Sequence, residues 1–102
     1  MPELLVAAAL ELADAAQWYD SHQAGLGGRL LDEARDAFDR IDRMPLAGSP
    51  WLHAAVPDGT RRVVLLTFPY TVVYVTDPRT VVVAIAHAKR RPTYWIDRLD
   101  GI

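Results

Sequence analysis

The residues whose types suggest chemistry are basic and aromatic, and most of them follow a valine-rich stretch near the end of the chain. Cationic and aromatic side chains that share a groove suit a phosphate backbone with stacked bases. Such a groove can also cleave RNA, because His, Lys, Arg and Tyr can provide the base, the acid and the positive charge that the reaction needs. The candidates are Arg61, Arg62, His87, Lys89, Arg90, Arg91, Tyr94 and Trp95.

The positive run at Lys89, Arg90 and Arg91 also has a purely structural interpretation. Charged residues at the exit of a buried strand protect that strand from pairing with other chains. Residue types alone leave both interpretations open.

The distribution of charge along the chain is uneven. Acidic residues outnumber basic ones by ten to four up to Asp58, and basic residues outnumber acidic ones by seven to three after it. Clustered Arg and Lys raise the local concentration of phosphates and carboxylates. The second half of the chain therefore suits an anionic partner, unless the two halves neutralise each other within the fold.

Other common chemistries find no support in the sequence. His22, His53 and His87 have no local metal-ligand spacing, and neither serine has a suitable catalytic partner nearby. The glycine-rich segment 25–28 lacks both the Lys-Ser/Thr of a P-loop and the spacing of a dinucleotide fingerprint. The absence of cysteine excludes disulfides and thiolate metal sites. We therefore expect neither a metal nor a cofactor.

The size and composition indicate one globular domain, residues 1–102. Hydrophobic residues make up 51% of the chain and charged residues 24%, which is typical of a folded soluble protein. The apolar run 4–10 meets Glu11 and Asp14 too soon to be a signal peptide or a membrane span. We expect a cytoplasmic protein that has no contact with a membrane.

Two predicted helices come first. Residues 4–20 repeat apolar side chains every three or four positions, which predicts a helix with one buried stripe, although residues 3–7 also fit a short edge strand. Trp18 and Tyr19 are expected in the core, and Glu11 on the solvated side. A second helix is predicted from about residue 28 to 43. Its apolar face comprises Leu30, Leu31, Ala34, Ala37, Phe38 and Ile41.

Strands dominate the second half of the chain. The runs 68–75 and 80–87 are rich in Val, Ile and Tyr and predict a hairpin at the centre of a sheet. The segments 51–56 and 61–67 predict a weak first strand and a further strand, and Thr93 is expected to cap a last helical turn. The fold is therefore of the α+β class, with a helical hairpin packed on one face of a small three- to four-stranded, mainly antiparallel sheet and a short C-terminal helix.

The alternation of side chains along a strand separates Arg61 from Arg62. One should face the helices, and the other the open face of the sheet. If Arg62 shares that face with the end of the strand at His87, a positive groove with an aromatic wall results.

Several motifs and their order resemble a known family. The resemblance covers residues 15–99 and indicates the RelE/ParE toxin superfamily of bacterial type II toxin-antitoxin modules, most closely the ParE, or plasmid-stabilisation, branch. The motifs are Ala15-x-x-Trp18-Tyr19, Gly25-Leu26-Gly27, Phe68-Pro69-Tyr70-x-Val72-Val73-Tyr74, a Val-rich strand, and His87-x-Lys89-Arg90-Arg91-Pro92-x-Tyr94-Trp95.

The resemblance implies a small cytoplasmic toxin held inactive by a cognate antitoxin protein. The disordered arm of the antitoxin would wrap the helical hairpin and the sheet face, giving a hetero-oligomer. ParE-type members are associated with poisoning DNA gyrase, whereas RelE-type members cleave messenger RNA on the ribosome with basic residues on the sheet. The surface expected to contact the antitoxin or the target comprises Arg61, Arg62, Tyr70, His87, Lys89, Arg90, Arg91, Tyr94 and Trp95.

The chain departs from the RelE-type pattern. Thr71 stands where ribonuclease members have an arginine, and Val64 stands at a position that is basic in them. The net charge of −2 is also unusual for these toxins. We therefore expect a ParE-like toxin that acts by protein binding, with a degenerate, non-toxic member as one alternative. The other alternative is a ribosome-dependent endoribonuclease, for which the candidates are Arg62, His87, Lys89, Arg90 and Tyr94.

Overall fold

Two helices lie on one face of a five-stranded mixed sheet in the computed structural model, which describes residues 1–102. The strands are β1 (Glu3–Leu4), β2 (Ser49–Pro50), β3 (Thr60–Val64), β4 (Tyr70–Val75) and β5 (Val81–His87). The helices are α1 (Val6–His22), α2 (Leu26–Arg43) and a C-terminal 3-10 helix (Ile96–Gly101). The strand order is β1-β5-β4-β3-β2, with β1 parallel to β5 and the other neighbours antiparallel. The α+β class and the helical hairpin are confirmed, with more strands than the three or four predicted.

The helical hairpin depends on two glycines in and after its loop. Gly25 has a φ of 92°, in the region that favours glycine. Gly27 packs so closely on α1 that a Cβ atom there would lie 2.3 Å from the carbonyl oxygen of Ala16. The Asp20 carboxylate accepts hydrogen bonds from the amides of Gly25 and Gly27, at 3.2 and 2.8 Å. These contacts fix the reversal, and α2 begins at Leu26, slightly earlier than predicted.

The main core lies between the helices and the sheet. The predicted apolar face of α2 is buried as expected, except that Leu31 is exposed. The prediction that Trp18 packs in the core is wrong, because its side chain is 55% exposed and stacks on His22 with ring centroids 3.9 Å apart. Tyr19 is half-buried and meets Phe68 edge to face at 4.9 Å. The buried cluster comprises Ala8, Ala15, Leu30, Ala34, Ala37, Phe38, Ile41, Leu65, Phe68, Val72, Tyr74, Val82 and Ile85.

An irregularity in the β4–β5 pairing determines on which side of the sheet the side chains at the end of β5 lie. Val73 pairs with Ala84, but the next residue of β4, Tyr74, pairs with Val82, so Val83 is an extra residue in β5. Such a bulge interrupts the alternation of side chains. As a result Val83 and Ala84 both belong to the cluster on the second face, and His87 borders the cleft on the helix side with Tyr70 and Ile85.

The face of the sheet opposite the helices is covered over much of its area. The chain after β5 returns across this face, and Trp95 is only 1% exposed. Partly buried side chains of the 3-10 helix, among them Ile96 and Leu99, complete this cover. The expectation of an open face therefore holds only beside the end of β5. The buried cluster comprises Val56, Val73, Val75, Val81, Val83, Ala84, Ala86 and Trp95.

Three local predictions in the second half need correction. Residues 51–56 do not form a strand, because the short strand β2 precedes them and only the Trp51 amide continues the pairing, donating to the carbonyl of Thr60 at 2.9 Å. Strand β3 ends at Val64 rather than at residue 67. Thr93 does not cap the last helix, because its hydroxyl donates to the carbonyl of Pro92 and the 3-10 helix begins without a side-chain cap.

Candidate functional site

The exit of β5 borders a groove of about 280 Å³, the basic groove, on the second face of the sheet. It brings together most of the basic and aromatic residues that the sequence singles out. Lys89 is exposed but does not line it, and Arg61 and Tyr70 lie elsewhere. The lining residues are Trp51, Arg62, Thr71, Ala86, His87, Ala88, Arg90, Arg91, Pro92, Tyr94 and Trp95.

The two neighbouring arginines of β3 face opposite sides of the sheet. The Nη1 atom of Arg61 donates to the carbonyl oxygens of Leu46 and Gly48, at 2.9 and 2.8 Å, while its Nε is buried without a partner. The guanidinium of Arg62 lies 4.9 Å from the ring centroid of Trp51, in the basic groove. Arg61 therefore holds the loop after α2, and Arg62 is the arginine of β3 that a ligand in the groove can reach.

His87 lies between two hollows with its ring orientation fixed. Its Nδ1 accepts a hydrogen bond from the amide of Lys89 at 3.0 Å, and its ring meets Tyr70 edge to face at 5.0 Å. A ring nitrogen that accepts from an amide carries no proton, so the neutral ring holds its proton on Nε2. In this arrangement Nε2 is the ring nitrogen that can donate a hydrogen bond to a partner.

Glu11 is a site residue that the sequence reasoning missed. Its carboxylate accepts hydrogen bonds from the Ile85 amide at 3.0 Å, from the Tyr94 hydroxyl, and from two nitrogens of Arg98 at 2.8 and 3.1 Å. Burial opposes ionisation of this group, but the bonds from Arg98, Tyr94 and Ile85 hold the pKa of Glu11 below its ordinary value. The network joins α1, β5 and the C-terminal segment.

The position of Glu11 relative to the buried alanines of α1 indicates its role in the sequence. Glu11 comes three residues after Ala8 and four before Ala15, and both alanines belong to the buried stripe of α1. Residues three and four positions apart share a helix face, so this spacing places Glu11 beside the buried stripe, and the prediction that it lies on the solvated side is wrong. Its partner Arg98 lies 87 residues away along the chain, so no local pattern identifies the pair.

Tyr94 and Trp95, which follow the positive run, have different surroundings. Tyr94 is half-buried between Arg90 and Arg98, whose guanidinium carbons lie 4.0 and 5.2 Å from its ring centroid. Burial and the hydrogen bond to Glu11 raise the pKa of Tyr94. Trp95 packs edge to face on Trp51 at 5.3 Å. Trp95 is only 1% exposed but borders the basic groove, so its role as a contact residue stays a prediction.

A second and larger hollow, the aromatic cleft, lies on the helix side of the β5 exit and measures about 410 Å³. It contains the predicted contact residue Tyr70, which the basic groove does not. Burial, then the neighbouring Tyr19 and Glu11, raises the pKa of Tyr70. The cleft is lined by Glu11, Asp14, Ala15, Trp18, Tyr19, Tyr70, Ile85, His87, Arg90 and Tyr94.

Comparison with known families decides the relationship that the motifs suggested. The model of the family described as "ParE toxin of type II toxin-antitoxin system, parDE" matches residues 3–92. The chain belongs to this ParE toxin family. The match spans both helices and all five strands. No curated protein matches the chain significantly. Membership implies a toxin role and an antitoxin partner.

The resemblance implied that basic residues of RelE-type ribonucleases are replaced by Thr71 and Val64, and in this ParE-family chain these two residues are direct neighbours on adjacent strands. Thr71 of β4 pairs with Val64 of β3, so neither strand supplies a cation there. Thr71 borders the basic groove, and Val64 is 61% exposed. The positive charge of the groove therefore comes from Arg62, Arg90 and Arg91.

This ParE-family chain has neither a cluster of metal ligands nor a helix that could span a membrane. No group of three or more His, Asp or Glu side chains is arranged to hold a metal ion. Neither long helix combines the length and the apolar character needed to cross a bilayer.

Proposed function

We propose that this chain is the toxin of a type II toxin-antitoxin pair, that it acts in the bacterial cytoplasm by binding DNA gyrase, and that a cognate antitoxin neutralises it. The observation that carries the proposal is the neutral pair Thr71 and Val64 beside the basic groove. A nuclease needs cations placed at the scissile phosphate, and the paired positions Thr71 and Val64 supply none, which leaves Arg62 as the cation that the strands contribute to the groove. The Nδ1 atom of His87 already accepts a hydrogen bond from the Lys89 amide. The groove is therefore suited to binding rather than to cleavage.

The surface around the end of β3 suits an antitoxin arm. Strand β2 pairs only with Arg61 and Arg62, so the outer edge of the chain from Val63 onward has no neighbouring strand. Leu66, just beyond β3, is 95% exposed, and Val64 is also exposed. An unpaired edge with exposed apolar side chains accepts an extended segment as an added strand. An antitoxin bound there would complete the sheet and cover these side chains.

Growth of an expressing strain tests both parts of the proposal. Induction of the chain alone should stop growth, and co-expression of the protein encoded beside it should restore growth and yield a hetero-oligomer on purification. Purified gyrase should bind the immobilised chain saturably, with binding weakened in Arg62→Ala and unchanged in the control Arg35→Ala on the exposed face of α2. Undisturbed growth at high expression would instead identify a degenerate, non-toxic member.

A ribosome-dependent endoribonuclease is the second candidate, because the basic groove gathers Arg62, His87, Arg90 and Tyr94. Against this role, the Tyr94 hydroxyl is already bound to Glu11. The discriminating experiment is translation of a defined messenger with purified ribosomes and the chain. Cuts in the ribosome-bound messenger that disappear in Arg90→Ala would establish the nuclease, and intact messenger would exclude it.

A further inference from the structure

The aromatic cleft differs from the basic groove in the chemistry of its walls. Helix α1 forms one wall, the segment after β5 forms the other, and side chains of β4 and β5 lie between them. The hydrogen bond from Tyr94 to Glu11 joins the two walls. The exposed ring of Trp18 borders the cleft on the α1 side.

Oxygen atoms supply most of the polar groups of the cleft. The carboxylate of Asp14 forms none of the ion pairs found in the structure, whereas that of Glu11 is paired with Arg98. The phenols of Tyr19 and Tyr70 add neutral hydroxyl groups. Carboxylate and hydroxyl oxygens accept hydrogen bonds, so the α1 wall and the floor of the cleft favour a ligand that is rich in donors and carries positive charge.

The aromatic rings of the cleft point to the same ligand. The chain already packs two guanidinium groups, those of Arg90 and Arg98, against the ring of Tyr94. None of the cation contacts in the structure involves the rings of Trp18, Tyr19 or Tyr70. An aromatic face attracts a cation through its quadrupole, most strongly for Trp. One face of the Trp18 ring stacks on His22, and the side chain remains 55% exposed, so the other face is open to a ligand. Trp18 and Asp14 line the same cleft.

We propose that the aromatic cleft binds an arginine side chain of a protein partner, with Asp14 as the counter-ion and Trp18 as the principal stacking ring. A planar guanidinium can stack on an aromatic face and direct several N–H donors to oxygens at its edge. A lysine ammonium lacks this planar geometry and should bind more weakly. The identification of the partner as the antitoxin rests on the proposed function, whereas the chemistry of the cleft does not.

Loss of the Arg90 charge should have the opposite effect on arginine binding to loss of the Asp14 charge. Its guanidinium stands on the wall opposite Asp14 and has the same charge as the ligand. Like charges that share a cleft repel each other. Removal of this charge in Arg90→Ala should therefore strengthen the binding of a cation and weaken the binding of an anion.

The test uses the free chain and small probes, so it needs neither gyrase nor an antitoxin. Amide and indole NMR signals of the ¹⁵N-labelled chain are followed during titration with N-acetyl-arginine amide, with the lysine analogue, and with N-acetyl-citrulline amide, which has nearly the same shape but no charge. Saturable shifts should appear at the Trp18 indole and at the amides of residues 14–19 with the arginine probe. Citrulline should bind at least about threefold more weakly, because it lacks the ion pair.

Variants show whether the shifts come from the cleft. Asp14→Asn should weaken arginine binding about threefold, and Asp36→Asn, an exposed carboxylate of α2 outside the cleft, should leave it unchanged. Equal binding of arginine and citrulline, or equal losses in Asp14→Asn and Asp36→Asn, would overturn the proposal. That result would not affect the proposal that gyrase is the target. Conversely, a failure of gyrase to bind the chain would not affect the proposal that the cleft binds arginine.

Discussion

The carboxylate of Glu11 and the guanidinium of Arg98 connect α1 to the C-terminal 3-10 helix, with Oε1 and Nη1 2.8 Å apart. Both side chains are largely shielded, at 18% and 23% exposure. The same carboxylate holds Tyr94 and the amide of Ile85. This single group therefore fixes the wall that separates the basic groove from the aromatic cleft.

Replacement of Glu11 by Gln should destabilise the fold by about 1–3 kcal/mol, because Arg98 loses its counter-ion in a shielded position. The free energy of unfolding in urea measures the change. The matched control is Asp32→Asn, which removes the exposed partner of Arg35 and should cost less than about 1 kcal/mol. Similar losses in the two variants would contradict a structural role for the Glu11 network.

The same carboxylate predicts a pH dependence of stability. The pKa of Glu11 is lower in the folded chain than its ordinary value of 4.5, so the folded state binds fewer protons than the unfolded state near that pH. The stabilising contribution is fully present above pH 4.5 and is lost as the pH falls through the folded pKa. The stability difference between the wild-type chain and Glu11→Gln should therefore shrink on acidification from pH 7 to pH 3. A constant difference over that range would exclude this linkage.

The glycines of the helical hairpin predict opposite effects for two neighbouring substitutions. Gly27→Ala places a Cβ against the Ala16 carbonyl oxygen and should cost about 1–3 kcal/mol through forced separation of the helices. Gly28→Ala meets no atom within 4 Å and should stabilise α2 by up to about 1 kcal/mol. Thermal unfolding of both variants checks the prediction, and a stable Gly27→Ala would show that the helices are less closely packed.

The two arginines of β3 should contribute to different properties, Arg61 to stability and Arg62 to binding. Arg61→Ala should lower stability by about 1–3 kcal/mol, because it removes two hydrogen bonds to the carbonyls of Leu46 and Gly48. Arg62→Ala should change stability by less than about 1 kcal/mol but weaken the binding of gyrase. Unfolding curves and binding curves of the two variants provide the comparison. The prediction fails if Arg62→Ala unfolds more readily than Arg61→Ala.

Periodicity predicted the elements whose burial is regular. Spacing predicted the buried face of α2 from Leu30 to Ile41. The strands β4 and β5 were predicted from their content of Val, Ile and Tyr. The opposite orientations of Arg61 and Arg62 followed from the alternation of a strand.

The features that were missed depend on contacts between distant parts of the chain. The extra residue Val83 interrupts alternation, and nothing in a continuous run of valines marks where it falls. Trp18 looked like a core residue because of its size, but the small side chains Ala15 and Ala16 face the interior instead. The burial of Trp95 depends on the chain turning back across the sheet, which no local pattern records.

Supercoiling of relaxed plasmid by purified DNA gyrase tests the central proposal most directly. Increasing amounts of the wild-type chain should inhibit supercoiling, Arg62→Ala should require at least about tenfold more protein for equal inhibition, and Arg35→Ala should match the wild type. Full supercoiling activity in the presence of a large molar excess of the folded wild-type chain would contradict the assignment of gyrase as the target.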